Sequence, residues 1–95
     1  MRKAVNEKIE RNIQLIKCVE KRRGIEYKVS TGVKSLELFS VLVKKCNDAE
    51  LYKMAERLKQ DTRHTIEKIK ELNTDLCIVA DEIQTILEGV KGYDQ

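Results

Sequence analysis

The sequence predicts an all-α protein: an antiparallel coiled-coil helical hairpin able to dimerise into a helical bundle. Three observations predict it. Apolar residues recur at alternating spacings of three and four along both halves of the chain. The 95 residues are 37% charged and 41% hydrophobic but only 4% aromatic, with no proline, which suits long helices with a narrow apolar seam. A polar break, Lys44-Lys45-Cys46-Asn47-Asp48-Ala49-Glu50, interrupts the pattern near mid-chain. A single helical domain over residues 1–95 is expected, with helices at about 4–46 and 49–91 and a turn at about 46–49.

The first helix opens with Ile9, Ile13 and Ile16, a stripe out of phase with the one that follows. From Ile25 the spacing is regular, through Val29, Gly32, Leu36, Phe39, Val43 and Cys46. The slip falls at Lys21-Arg22-Arg23-Gly24, where glycine costs about 1 kcal/mol of helix propensity relative to alanine. A bend, a stutter or a local change of packing is expected there. At the break, two lysines suit the negative end of a helix dipole, Asn47 can end that helix, and Asp48 can cap the next, with Glu50 in its first turn.

The second helix carries the cleanest signal. Leu51, Ala55, Leu58, Thr62, Thr65, Ile69, Leu72, Leu76, Val79, Ile83, Ile86 and Val90 form one unbroken three-four series in which all but two threonines are apolar. A short connection makes the two helices antiparallel neighbours. With the turn centred on Asn47-Asp48, residue i faces residue 95 − i: Ile9 meets Ile86, Ile16 meets Val79, Leu36 lies near Leu58, and Phe39 near Ala55. Charge agrees with this pairing. Residues 1–46 hold twelve Lys/Arg and five Asp/Glu, a net +7; residues 47–95 hold seven and eleven, a net −4.

Hydrophobicity exceeds what one seam needs. Leu38, Val41 and Leu42 widen the first helix's stripe, and Ile78 widens the second's. These four are the expected oligomer contacts, with a homodimer the simplest closed form.

Composition disfavours catalysis and cofactor binding: one histidine, four glycines and no P-loop, dinucleotide, calcium or zinc motif. His64 stands without metal-ligand neighbours, and the carboxylate pairs Asp81-Glu82 and Glu67-Glu71 sit on solvated helix faces. Cys18, Cys46 and Cys77 are odd in number and far apart, which reads as reduced thiols in the cytoplasm, with Cys18 beside Cys77 in the expected register. No apolar run is long enough to span a membrane, and the Met1-Arg2-Lys3 start does not lead into a signal peptide. The basic cluster Lys17-Lys21-Arg22-Arg23-Lys28 lacks interleaved aromatics apart from Tyr27, so nucleic acid and membrane are both disfavoured as partners.

One stretch is more specific. Lys28-Val29-Ser30-Thr31-Gly32-Val33-Lys34-Ser35-Leu36 resembles the K-I-x-x-G-A-x-x-L core of the Rho-effector homology-region-one repeat. That repeat occurs in protein kinase C-related kinases, rhophilin, rhotekin and anillin. Ala55-Glu56-Arg57-Leu58-Lys59 and Ile66-Glu67-Lys68-Ile69-Lys70-Glu71-Leu72 are similar to its second-helix pattern. The resemblance implies an antiparallel coiled-coil finger that binds a GTP-loaded Rho-family GTPase. It points to Lys28, Val33, Lys34 and Ser35 as contacts. A weaker likeness, by size and helical charge pattern, is to tubulin-binding cofactor A, which implies a chaperone subunit. An oligomeric coiled-coil scaffold without GTPase binding is the remaining alternative.

Overall fold

A computed structural model describes the backbone of residues 2–94 and the side chains of residues 5–89. It contains two helices, α1 (Arg2–Asp48) and α2 (Tyr52–Asp94), and no strand among the described residues. The two form a helical hairpin, so the all-α fold class follows from the structure as well as from the spacing. Two compact units are distinct: a terminal unit, Met1–Glu26 with Asp75–Gln95, and a turn unit, Tyr27–Thr74.

In α2 the buried and half-buried residues are Ala55, Leu58, Thr62, Thr65, Ile69, Leu72, Leu76, Val79, Ile83 and Ile86. They are ten of the twelve residues in the three-four series. Leu51 is exposed at the turn, and the side chain of Val90 lies outside those described. Two threonines fit the seam because each hydroxyl is satisfied within its own helix. Thr62 Oγ1 donates to Leu58 O at 2.8 Å and Thr65 Oγ1 to Asp61 O at 2.9 Å, leaving the methyl groups for packing. The seam of α1 from Ile25 to Cys46 is likewise buried or half-buried at every expected position.

Upstream of Ile25 the structure corrects the expected pattern. α1 runs unbroken through Gly24, and its inward phase does not shift. The three-four series continues backwards through Cys18, Leu15 and Arg11, all half-buried, although Arg22, between Ile25 and Cys18, is exposed. Ile9, Ile13 and Ile16 therefore face away from α2, exposed by 51%, 45% and 58%. A continuous helix has one phase, and here the longer series from Ile25 to Cys46 sets it.

The turn also lies later than expected. Ala49 N–H donates to Lys45 O (3.0 Å), Glu50 N–H to Asn47 O (3.1 Å) and Leu51 N–H to Cys46 O (2.8 Å). The last two bonds define a Schellman closure, with Glu50 in the left-handed region at φ 61°. Asn47 does not end α1, and Asp48 does not cap α2. Leu51 holds the cap position, because Ala55 N–H returns to its carbonyl at 3.0 Å.

A later turn moves the register by about one helical turn. In the terminal unit Arg11 meets Gly89 and Cys18 meets Glu82, so facing numbers add to 100 rather than 95. In the turn unit Gly32 lies against Ile69 and Thr65. Cys18 is accordingly not beside Cys77, and Ile9 and Ile16 do not meet Ile86 and Val79.

Candidate functional site

Labelling the seam positions a and d of a heptad places every other residue on a defined side of the hairpin. In an antiparallel pair the g and c positions of both helices share one side, and the e and b positions share the other. The terminal unit shows this directly. A cleft of about 650 Å³ opens along its g/c side, with Gln14, Lys17 and Cys18 from α1 and Ile78, Glu82 and Thr85 from α2 in its wall. Cys18 Sγ approaches Glu82 Oε2 at 3.7 Å across it.

The two sides of this unit differ in chemistry. The g/c side carries Glu7, Glu10, Lys17, Lys21, Asp75 and Glu82. Apart from Arg23 and Glu26 at its turn-ward end, the described e/b side is Val5, Ile9, Asn12, Ile16 and Val19 on α1 and Cys77, Ala80, Gln84 and Leu87 on α2, nine residues with no charge among them. All nine are exposed except the half-buried Val19. In a chain that is 37% charged, nine surface positions without a charge form a distinct face. Two of the misphased isoleucines, Ile9 and Ile16, belong to it. Nothing in the apolar spacing identified this face, because it emerges only once the phase of α1 is fixed by the residues downstream.

The four residues implied by the family resemblance all lie on α1 in the turn unit. Lys28 and Ser35 share the g edge, two turns apart, and Ser35 Oγ donates to its own helix at Thr31 O (3.1 Å). Val33 lies on the opposite flank, 43% exposed, and Lys34 points outward between the flanks. The helix therefore spreads them around its outer surface instead of gathering them in one patch.

The expected oligomer contacts separate as well. Leu38 and Val41 are exposed on the outer face of α1, while Leu42 is half-buried at the edge of the turn-unit seam. Ile78 belongs to the terminal unit and lines its cleft. A second group of exposed apolar side chains, Leu51, Tyr52 and Met54, lines a cleft of about 500 Å³ at the turn with Lys53 and Arg57.

Cys18, Cys46 and Cys77 are free thiols, half-buried, buried and exposed respectively. His64, Glu67, Glu71, Asp81 and Glu82 are all exposed. No group of three or more metal-ligating side chains occurs among the described residues. No helix among them is long and apolar enough to cross a membrane. The chain matches no family model, no curated protein and no solved structure.

Proposed function

We propose that this chain is a non-enzymatic protein–protein interaction module of the cytoplasm, and that it works by presenting preformed helix faces to protein partners, a second copy among them. The observation that carries this reading is the uncharged stretch of the terminal unit's e/b face over residues 5–19 and 77–87, where Val5, Ile9 and Ile16 stand about half exposed. Apolar side chains held in water on a rigid helix gain free energy when another protein covers them. The exposed carboxylates and lone histidine support a binding role over a catalytic one, since they lie on helix surfaces, with Asp81 and Glu82 on the wall of an open cleft. Light scattering over a wide concentration range tests the reading. Reversible self-association supports it, and a monomer at every concentration removes the homo-oligomer.

A second reading has its own observation. Within the stretch that resembles the homology-region-one repeat, Gly32 packs against Ile69 while Lys34, two residues on, is exposed. A glycine in the seam and a cation outside it suit a finger that binds a GTP-loaded Rho-family GTPase through its outer surface. Pull-down with GTP- and GDP-loaded Rho-family proteins tests it, with nucleotide-selective capture as the expected result. Absence of capture in either state leaves a scaffold or chaperone subunit, as the likeness to tubulin-binding cofactor A implies.

A further inference from the structure

We infer that two copies of this chain associate through the uncharged stretch of their terminal units' e/b faces, residues 5–19 and 77–87, α1 of one copy packing antiparallel on α2 of the other. This inference rests on the self-association proposed above and names its surface and its geometry.

The first argument is chemical. Val5, Ile9, Ile16 and Leu87 are 56%, 51%, 58% and 44% exposed on one side of the unit, with no charge interleaved. Asn12 and Gln84 lie on the same side; Gln84 Nε2 donates to Glu88 Oε1 at 3.3 Å, and its amide oxygen can accept in a protein contact as the Asn12 amide can donate and accept. The opposite side carries six charged residues among those described, around the cleft that Ile78 lines.

The second argument is charge, and it selects the occupant. In the terminal unit, residues 1–26 carry eight Lys/Arg and four Asp/Glu, a net +4; residues 75–95 carry one and five, a net −4. The turn unit has no such split, with +2 on residues 27–48 and +1 on residues 49–74. A copy laid face to face about an axis parallel to the helices sets each +4 segment across a −4 segment. The alternative two-fold, perpendicular to the helices, sets like charge on like and is disfavoured. The favoured axis gives a closed, self-complementary contact in which every neighbouring helix is antiparallel. An anionic lipid surface is a poorer occupant, because the −4 segment on α2 opposes it.

The third argument is size. Nine residues a side fall well short of the roughly 20–30 of a standard interface. The dimer is therefore weak and reversible, and its population follows concentration.

The test is the mass of the full chain by sedimentation equilibrium from micromolar to near-millimolar concentration, with helicity followed by circular dichroism. The wild type is expected to approach twice its monomer mass at the upper end and to dissociate as salt is raised. Ile16→Glu and Leu87→Glu are each expected to remain monomeric with unchanged helicity, whereas Lys17→Glu, on the opposite side, still dimerises. If the wild type never exceeds the monomer mass, both the self-association and this surface are wrong. If it dimerises and both glutamate variants dimerise equally well, this surface is wrong while self-association stands, and Leu38→Glu then tests the turn unit. A dimer strengthened by salt overturns the α1-on-α2 geometry. Loss of helicity in both variants overturns the interface role, because the residues then belong to the fold. A monomer that sediments with phosphatidylserine vesicles overturns the choice of occupant.

Discussion

Gly32 of α1 packs against Ile69 of α2 so closely that a Cβ on the glycine would lie 3.0 Å from Ile69 Cγ1 and 3.1 Å from its Cδ1. The space a side chain would fill is already occupied by the isoleucine. Glycine in a helix interior costs about 1 kcal/mol relative to alanine, so here the cost is offset by close helix approach. Gly24, in the same helix, has nothing within 4 Å of its notional Cβ and gains no such compensation.

The two glycines should therefore respond oppositely to alanine. Gly24→Ala is expected to stabilise the protein by about 1 kcal/mol, a rise in Tm of roughly 4–8 °C in thermal unfolding. Gly32→Ala has the same propensity gain set against overpacking of about 1–3 kcal/mol, so Tm should stay level or fall. Equal stabilisation by both would mean that Ile69 moves aside without cost.

Glu50 holds a left-handed conformation, φ 61°, in the closure of α1. That region costs an L-residue about 1–2 kcal/mol and costs glycine almost nothing. Glu50→Gly should raise the midpoint of urea unfolding, with most of that penalty recovered after glycine's larger unfolded-state entropy is subtracted. A lower midpoint would show that the Glu50 side chain contributes more than its backbone conformation costs.

The unevenness of what the sequence revealed has physical causes. The seam of α2 was legible residue by residue, from Ala55 to Ile86, because apolar spacing and burial report the same period. Ile25 to Cys46 was legible for the same reason. Ile9, Ile13 and Ile16 depart from their expected positions because apolarity does not reveal whether a residue faces its own hairpin or something else. The helix had already committed its phase downstream, leaving Arg11 and Cys18 on the inner face. The turn lies later than the spacing predicts because Asn47 and Asp48 look like terminators, whereas a left-handed glutamate leaves no signature. That small displacement moved every facing pair by about one turn. The candidate face depends on phase and register together, so it was not legible at all.

Leu51 occupies the N-cap of α2, and the first turn of that helix contains no acidic residue. A leucine cannot accept a hydrogen bond from the free N–H groups that follow it, and its side chain is about half exposed. Leu51→Asp supplies both an acceptor and a negative charge at the positive end of the helix dipole. The expected gain is about 0.5–2 kcal/mol, measured as a higher Tm at low salt. No gain would indicate that Leu51 makes a packing contact at the turn worth as much as a cap.

The last prediction separates binding from folding at two residues of one helix. Lys34 is exposed on the outer face of α1, while Leu36 lies half-buried in the seam. Under the GTPase reading, Lys34→Glu should weaken capture of a GTP-loaded Rho-family protein without changing helicity or Tm. A rim charge acts mainly through association rate, with an effect of about 1 kcal/mol or less that shrinks as salt rises. Leu36→Ala removes seam packing and should destabilise the fold by about 2–5 kcal/mol, toward the lower end because the site is only half-buried. Measuring unfolding and nucleotide-dependent capture on both variants keeps the two effects apart. If Lys34→Glu lowers Tm as much as Leu36→Ala does, Lys34 is part of the fold and its role as a contact is lost. If capture is absent in the wild type, Lys34 is an ordinary solvated lysine, and the uncharged stretch of the terminal unit over residues 5–19 and 77–87 is where binding must be sought.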